Sequence, residues 1–328
     1  MKALHLLHVI KVGGAQSVAY NYATVLKELG VSSHFCGGKK YRDPEYEKFL
    51  SRQGTVSYHV SKSLVKSSDL IFVHSNQNLL LIFAYRFLPL GWSNKKVIYI
   101  QHLNYSTIKF YLLSFLINLV CTDFIQITPI TTSKVNRFVK IRKHFIVNFQ
   151  IPKYDKTKWT EIRNNLRDEL GISDDKIIVL YSSRFVKGKN IEKFLEIAEE
   201  MREDRDFVFV LLGDGPLVDL VKAYKWDNLK WLGYVADSEK YLIASDIYLF
   251  VSLYALEMMP MAMVEAIVCE KTIISYDTEI NNFLTGNKTC HVITKEDILN
   301  YKKFPNGRNL TKYDFQYALV KFGELINA

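Results

Sequence analysis

The sequence predicts an α/β protein that contains two doubly wound parallel sheets. Short apolar runs alternate with amphipathic stretches in the first half of the chain, and the same alternation restarts after a segment near residues 148–158. Buried strands separated by helices are typical of parallel sheets with helices on both faces. A chain of 328 residues, 48% of them hydrophobic, is also long enough for two domains with full cores.

The first half supplies a series of apolar runs that we interpret as strands, with an amphipathic helix after the first. That helix is "AQSVAYNYATVLKELG", which ends on Gly30. The predicted strands are, in order, "ALHLLHVI", "SSHFCGG", "LIFVHS", "KVIYIQH", "FIQITPITTS" and "HFIVNF". We assign residues 1–150 to this first domain.

The second half repeats the pattern over residues 151–310. The predicted strands are "IIVLYSSR", "FVFVLLGDG", "LKWLGYV", "IYLFVS" and "TIISYD", and the predicted helices are "NIEKFLEIAEEM", "YLIASD" and "MAMVEAIVCE". The last segment, residues 311–328, is predicted to be an amphipathic helix that starts near Thr311 and packs back towards the first domain. Two such domains leave a cleft at the carboxyl ends of their strands, where ligands bind.

The composition excludes several classes of protein. The four cysteines are far apart and none has a histidine at metal-ligand spacing, so we expect reduced thiols, no metal site and a cytoplasmic protein. The first apolar run is too short for a signal peptide. The most apolar stretch, Phe110 to Cys121, is shorter than the roughly 20 residues that span a bilayer. We therefore expect no transmembrane helix.

The charge is distributed unevenly along the chain. Residues 1–150 contain 19 Lys+Arg and 6 Asp+Glu, a net charge of +13, whereas residues 151–328 contain 24 and 28, a net charge of −4. A basic half indicates an anionic partner, and both nucleic acid and a membrane surface fit.

Two glycine-containing turns follow predicted strands. Gly13 and Gly14 separate the first strand from the first helix, where glycines let backbone N–H groups approach an anion, although a plain tight turn is an equal alternative. Their spacing is neither GxGxxG nor a P-loop. Gly213 follows the strand "FVFVLLGDG" and fits a backbone close to a nucleotide, although such turns are common.

Two cations follow the first strand of the second domain. Arg184 ends "YSSR", and Lys189 comes five positions later. Arginine offers a fork of donors and lysine a compact charge, so the pair suits a diphosphate. The alternative is a solvated basic loop.

Two glutamates flank the block "MMPMAMV". Pro260 suits the first turn of a helix through Glu265, which leaves Glu257 in the preceding loop. At about 1.5 Å per helical residue and about 3.3 Å per extended residue, the carboxylates lie roughly 10–15 Å apart. This distance is too long for a paired-carboxylate hydrolase and fits the span from the sugar to the ribose of a sugar nucleotide. The alternative is a cap-region acid and a surface glutamate.

In this order the motifs resemble the GT-B glycosyltransferases, specifically glycosyltransferase family 4 (group 1) of the bacterial surface-polysaccharide type. The similarity extends over nearly the whole chain, and the R-x4-K and E-x7-E patterns are its most specific parts. The other matching stretches include "GGAQSVAYNYATVLKELG", "VIYIQH", "ITTSKVNRF", "LLGDGP", "LKWLGYV" and "TIISYD". The resemblance implies two Rossmann-like domains that face each other across a cleft.

The resemblance also implies a role for each matching residue. Arg184 and Lys189 hold the diphosphate and stabilise the leaving group, Glu265 binds the ribose, and Glu257 contacts the donor sugar. A lone histidine at the end of a strand is more often structural than catalytic. The resemblance nevertheless implies that His102 faces that sugar as a catalytic residue. The implied donor site also contains Gly13, Gly14, Gly213, Met258, Met259, Pro260 and Met261. Such enzymes retain the anomeric configuration and use a nucleotide-sugar, with a UDP-sugar as our preferred donor, as co-substrate without a cofactor or metal.

Three departures from the family pattern put the identity of the donor sugar in doubt. Met258 and Met259 stand where glycine is common, Asn148 and Phe149 replace an Asn-Gly pair, and "TEINNF" replaces a glycine-rich turn.

The first domain is expected to receive the acceptor. Its cations concentrate near the apolar "FYLLSFLINLV", at Lys134, Arg137, Lys140, Arg142 and Lys143. This pattern suits docking on the cytoplasmic face of an anionic membrane, or equally a solvated face beside a core helix. We expect a peripheral enzyme of capsule, exopolysaccharide or lipopolysaccharide synthesis that adds one sugar to a saccharide or lipid-linked acceptor. The alternatives are an inactive sugar-nucleotide-binding protein and a basic nucleic-acid-binding protein, which lacks a recognised module.

Overall fold

A computed structural model describes residues 1–38, 43–86, 88, 92, 95–253, 257–286, 289–306 and 313–327. The chain divides into two compact units. The first comprises Met1–Phe149, Leu256–Met261 and Lys312–Ala328, and the second comprises Gln150–Ala255 and Ala262–Thr311. Each unit contains one parallel sheet flanked by helices, so the predicted α/β class is confirmed.

The first unit is built on a seven-stranded sheet in which every neighbouring pair is parallel, with the order β3-β2-β1-β4-β5-β6-β7. The strands are β1 (Lys2–Val9), β2 (Ser32–Gly38), β3 (Gly54–Ser57), β4 (Leu70–Val73), β5 (Lys96–Ile100), β6 (Asp123–Gln126) and β7 (Arg142–Phe145). Every residue of β4 is buried, as expected for a central strand with helices on both faces. The centre of the sheet thus lies in the core.

The helices of the first unit connect these strands. They are α1 (Gly14–Glu28), α2 (Pro44–Leu50), α3 (Lys62–Ser67), α4 (Asn76–Arg86), α5 (Thr107–Val120) and α6 (Thr132–Phe138). Side-chain caps fix several starts: the backbone N–H of Leu64 donates to Ser61 Oγ over 3.1 Å, and that of Lys109 to Ser106 Oγ over 3.4 Å.

The second unit is built on a five-stranded parallel sheet with the order β10-β9-β8-β11-β12. The strands are β8 (Ile177–Ser182), β9 (Phe207–Leu212), β10 (Leu229–Trp231), β11 (Ile247–Phe250) and β12 (Thr272–Ser275). The helices are α7 (Trp159–Leu170), α8 (Ile191–Glu200), α9 (Val218–Lys222), α10 (Ser238–Ala244), α11 (Met261–Val268), α12 (Glu279–Thr285) and α13 (Lys295–Leu299).

The last helix, α14 (Phe315–Asn327), packs in the first unit. Phe322 is fully buried, and its ring lies 4.6 Å from that of Tyr22 on α1 and 6.2 Å from that of Phe149. The ammonium group of Lys96 donates to the carbonyls of Leu325 (3.0 Å) and Ile326 (2.8 Å). A cation at the C-terminal end of a helix satisfies carbonyls that have no partner within the helix.

Several element boundaries differ from the sequence prediction. The predicted strand "FIQITPITTS" ends at Gln126, because Pro129 has no N–H to donate and begins a 3-10 turn that leads into α6. The elements that were not predicted include the strand β3, which is short, the helix α4, and the helix α7, which follows directly after the segment near residues 148–158. Thr311, the predicted start of the last helix, lies outside the described residues.

Within the described ranges, no helix combines the length and the apolar character that crossing a membrane requires.

The aromatic contacts of α14 predict its contribution to stability. We expect Phe322→Ala to lower the free energy of unfolding of the first unit by about 3–5 kcal/mol, because the variant leaves a cavity against Tyr22 and Phe149. Urea-dependent hydrogen exchange of peptides from α1 and β4 measures the change. Val320→Ala on the same helix is the control, since Val320 is 61% exposed. Equal effects of the two variants would contradict a core role for α14.

Candidate functional site

The first unit brings two predicted catalytic residues together from distant parts of the sequence. His102 follows β5, and the next residue, Leu103, forms an antiparallel β-bridge with Glu257. Both His102 and Glu257 are partly buried. A backbone bridge fixes the loop of Glu257 beside the end of β5, so an imidazole and a carboxylate lie on neighbouring backbone segments.

The segment from Glu257 to Met261 is anchored in the first unit. Met258 is 1% exposed and Met259 is 5% exposed. The backbone N–H of Asn148 donates to Met259 Sδ (3.1 Å), and the Asn148 side-chain amide donates to the Met259 carbonyl (3.3 Å). Met259, one of the departures from the family pattern, therefore contacts Asn148. Because these methionine side chains are buried, they supply packing, and the Met259 sulfur also accepts a hydrogen bond.

The glycine turn after β1 lies beside the same segment. Gly13 precedes α1 and accepts a hydrogen bond from the backbone of Ser17 (2.9 Å). A Cβ atom on Gly13 would meet Gln16 Oε1 at 2.5 Å, whereas one on Gly14 would make an ordinary contact with Met261 at 4.0 Å. The side-chain amide of buried Gln16 donates to the Val9 carbonyl (3.1 Å) and links the turn to its strand. The open backbone of the turn is thus rigidly supported.

The second unit brings the Arg184 loop and the Gly213 turn together. They follow β8 and β9, which are neighbours in the sheet, and the backbone N–H of Phe185 donates to the Asp214 carbonyl (2.9 Å). A Cβ atom on Gly213 would lie 1.9 Å from the Ser183 carbonyl oxygen, and its φ of +138° also favours glycine. The Gly213 turn thus lies at the same end of the sheet as Arg184.

The two cations of this loop differ in exposure. Arg184 is exposed, whereas Lys189 is partly buried and its carbonyl accepts a hydrogen bond from Tyr181 Oη (3.1 Å). Lys189 N–H donates to the Val186 carbonyl (3.0 Å), which closes the loop into a turn. The loop can therefore offer an anion a partly buried lysine and an exposed arginine.

Glu265 lies on α11, which begins directly after Pro260 as predicted. The hydroxyl of Ser238 donates to Glu265 Oε2 over 3.4 Å. Burial raises the pKa of Glu265 to about 7, the charge of Lys153 opposes this, and Glu239 adds to it. Near neutral pH the carboxyl can therefore accept a hydrogen bond or donate one.

Glu239 is a buried carboxylate that the sequence analysis missed. It accepts hydrogen bonds from the backbone N–H groups of Lys153 (2.8 and 3.0 Å) and Tyr154 (3.2 Å), and burial raises its pKa. The pattern "DSEKY" resembles any helix start, so no sequence signal marked it.

The predicted basic residues lie on α6, on β7 and in the turn between them. Lys134 is partly buried and donates to the Tyr105 carbonyl (3.0 Å), whereas Arg137, Lys140, Arg142 and Lys143 are exposed. Arg142 Nε lies 3.7 Å from Asp123 Oδ1, so one of these charges is partly neutralised.

A second histidine, His74, contacts His102, and the sequence analysis missed it. His74 Nδ1 lies 3.1 Å from His102 Nε2, and the rings stack with centroids 5.3 Å apart. A signal was present, because "LIFVHS" and "VIYIQH" both place histidine directly after a buried strand.

The raised pKa of Glu265 predicts how stability depends on pH. The folded protein keeps this proton up to about pH 7, whereas the unfolded chain loses it near pH 4.5. The stability contributed by the proton is complete below pH 4.5 and is lost as the pH rises through about 7. As the pH rises from 4.5 to about 7, we therefore expect the Tm of wild type to fall relative to that of Glu265→Gln by roughly 3–6 °C.

Scanning calorimetry at a series of pH values measures this difference. Glu199→Gln on the exposed face of α8 is the matched control and should follow wild type. A Tm difference for Glu265→Gln that does not vary with pH would contradict the raised pKa.

Comparison with known proteins shows what parts of the chain are similar to. The family model for glycosyl transferases group 1 matches residues 162–297. The chain is 29% identical over 160 residues to alpha-monoglucosyldiacylglycerol synthase of Acholeplasma laidlawii, covering 45% of this chain and 39% of the relative. It is 31% identical over 176 residues to alpha-galactosylglucosyldiacylglycerol synthase of Streptococcus pneumoniae, covering 47% and 46%. The chain thus spans less than half the length of these curated relatives.

Solved structures share the fold. The crystal structure of Anabaena HepE in complex with UDP has a TM-score of 0.75 and 16% sequence identity, with 100% of both chains covered. The complex of the same protein with UDP-glucose has a TM-score of 0.74. This likeness confirms the predicted GT-B type of fold. The segment that the family model matches, residues 162–297, contains Arg184, Lys189 and Glu265.

Proposed function

We propose that the protein is a retaining, metal-independent glycosyltransferase that transfers a sugar from a UDP-sugar to a lipid or saccharide acceptor. One observation carries this proposal: the segment that matches the family contains Arg184 and Lys189 in a turn packed on Gly213, and Glu265 on α11. This set provides two cations for a diphosphate and a carboxyl group for ribose hydroxyls.

In this proposal the second unit binds the nucleotide. The guanidinium of Arg184 and the ammonium of Lys189 neutralise the diphosphate, and the strained Gly213 turn lets backbone approach the ligand. Glu265 accepts hydrogen bonds from the ribose hydroxyls in its ionised form. Because the pKa of Glu265 is about 7, the carboxyl group is mostly protonated below that pH. Nucleotide binding favours the ionised form, so at such a pH it releases the proton of Glu265.

The first unit acts on the sugar. His102 and Glu257 contact its hydroxyls, and the Gly13–Gly14 turn supports the diphosphate. During transfer, the bond from the anomeric carbon to the β-phosphate oxygen breaks, and its electron pair leaves with UDP. The acceptor oxygen forms the new bond, and its proton passes to a phosphate oxygen of the departing UDP. Arg184 and Lys189 stabilise the negative charge that develops on UDP, the task that a metal performs in other enzymes.

Nucleotide binding tests the donor site directly. We expect UDP to raise the Tm more than GDP or ADP at equal concentration, and we expect Arg184→Ala and Glu265→Ala to abolish most of this shift. Arg205→Ala is the control, since Arg205 is an exposed arginine of the same unit. No stabilisation by any nucleotide, in a folded protein, would overturn the proposal. Hydrolysis of the bound UDP-sugar without acceptor separates an enzyme from an inactive binding protein.

The first unit also offers a surface for a lipid membrane. The outer side of α5 exposes an apolar stripe that consists of Ile108, Tyr111, Leu112, Phe115 and Leu119, of which Ile108 is 77% and Phe115 is 69% exposed. Its inner side, with Phe110 and Ile117, is buried. Five large apolar side chains in one exposed stripe are unusual for a helix in water.

The basic residues lie beside this stripe. The side-chain amide of Asn118 on α5 donates to the Phe138 carbonyl (2.8 Å), and its oxygen accepts from the Lys140 backbone (2.8 Å). Tyr111 also packs on Phe138, with ring centroids 5.4 Å apart. An apolar stripe next to exposed cations suits the interface of an anionic membrane, where acyl chains and headgroups lie at adjacent depths.

This surface favours a lipid-linked acceptor. The names of the two curated relatives describe the glycosylation of diacylglycerol lipids. We propose that this protein acts peripherally on the cytoplasmic face of the membrane and that it glycosylates a lipid or lipid-linked saccharide. Such a product suits the synthesis of glycolipids, capsule, exopolysaccharide or lipopolysaccharide.

Vesicle binding tests the docking surface. We expect the protein to bind phosphatidylglycerol vesicles at low salt and Phe115→Glu to weaken this binding at least tenfold, because burial of a phenylalanine contributes about 1.5–3 kcal/mol. Val320→Glu is the matched control, because Val320 is an exposed apolar residue on another helix of the same unit. Sedimentation with vesicles measures both variants. Equal binding of wild type and Phe115→Glu would show that α5 does not enter the membrane.

A further inference from the structure

Three histidine rings form a continuous row across the centre of the first sheet. His5 lies in β1, His74 follows β4 and His102 follows β5, and these three strands are neighbours. His5 Nδ1 lies 3.3 Å from His74 Nε2, and His74 Nδ1 lies 3.1 Å from His102 Nε2. At the inner end, His5 Nε2 lies 3.4 Å from Ser33 Oγ. Each ring thus uses a nitrogen to contact the next ring.

The rings are held in an apolar environment that keeps them neutral. The ring of His5 stacks between those of Phe72 (4.9 Å) and Phe35 (5.1 Å). Burial lowers the pKa of His5 to about 3 and that of His102 to about 4, and it lowers the pKa of His74 well below its usual value. A neutral imidazole carries a single N–H, so in each contact one nitrogen donates and the other accepts.

The contacts can be satisfied only if all three rings adopt the same direction. If His74 Nδ1 donates to His102, then His74 Nε2 must accept from His5, and His5 Nε2 must accept from the Ser33 hydroxyl. The reverse direction inverts every bond. A mixed direction would place two N–H groups or two lone pairs face to face in the core, at a cost of about 1–3 kcal/mol. The tautomer of His102 is therefore coupled to that of His5, two strands away.

His102 has one nitrogen outside the row. It is partly exposed, and none of the residues that the structure describes forms a hydrogen bond with its Nδ1. In one direction of the row, this Nδ1 carries the proton and donates. In the other direction, it presents a lone pair and accepts. Three phenylalanines would fill the same space without the cost of burying imidazoles, so packing alone does not account for the row.

We propose that His74, supported by His5, is a positioning residue that holds the ring of His102 towards the donor sugar and couples its tautomer to the row. This inference rests on the proposed role of His102. A hydroxyl of the sugar both donates and accepts, so it can bind Nδ1 of His102 in either direction of the row. The row holds the ring from the rigid sheet, and each of its two directions corresponds to one orientation of the sugar hydroxyl.

Two conservative variants separate the halves of the row. In His74→Asn the side-chain amide occupies the place of Nδ1 and keeps the bond to His102. In His74→Gln the amide occupies the place of Nε2 and keeps the bond to His5. We expect kcat for sugar transfer to fall roughly 10- to 100-fold in His74→Gln, because such a loss is typical when a partner that orients a functional histidine is removed. The fall in kcat of His74→Asn should be about tenfold smaller than that of His74→Gln. The KM for the donor should change little in both.

A spectroscopic measurement on the free protein tests the row without any assumption about activity. In protein labelled with ¹⁵N-histidine, we expect the Nε2 signal of His102 to match wild type in His74→Asn, which keeps the bond to this nitrogen, and to shift in His74→Gln, which loses it. His144→Gln is the control, because His144 pairs with Asp123 (2.7 Å) in the same unit but outside the row. It should leave the His102 signals unchanged.

The outcomes distinguish this inference from the proposed function. His102 signals that are identical in all variants, or equal losses of kcat in His74→Asn and His74→Gln, would overturn the positioning role. If wild type binds no nucleotide and transfers no sugar, the proposed function fails, and with it the use of the row in catalysis. The nitrogen signals would still show whether His74 binds Nε2 of His102.

Discussion

Parallel strand pairing is the constraint on which the candidate site depends. All strands of a parallel sheet end at the same edge, so the loops that follow neighbouring strands must meet there. In the first unit this rule brings His74 and His102 together after β4 and β5. In the second unit it brings the Arg184 loop onto the Gly213 turn after β8 and β9. Residues far apart in sequence become neighbours because their strands do.

The sequence predicted the elements that have a strong hydrophobic pattern. The central strands β1, β4, β5, β8 and β11 and the helices α1, α8 and α11 appear where their apolar runs and flanking turn residues indicated. The misses include the four-residue strand β3, the five-residue helices α9 and α13, and the longer helices α4 and α7. Such elements are stabilised by contacts with the rest of the unit, which local periodicity does not report.

The candidate site was predictable where a residue type matched a motif and hidden where the role comes from tertiary contacts. Arg184, Glu257 and Glu265 stand out by spacing alone. His5 reads as an ordinary strand residue, and its contact with His74 requires the strand order β1-β4-β5. Similarly, the sequence alone marks Met259 only as a departure from the family pattern. The structure shows its hydrogen bonds with Asn148, a residue 111 positions away in sequence. These contacts join segments that no local pattern connects.

The packing of α14 has a consequence for the order in which the protein forms during synthesis. The first 149 residues leave the ribosome early, but their core around Tyr22 and Phe149 is closed by Phe322. At about 5–20 residues per second, roughly 10–30 s pass before that helix emerges. The nascent first unit therefore exposes an aromatic surface while the whole second unit is being translated. Its lifetime in this open state is set by the rate of translation, so the interval offers a binding site to a chaperone.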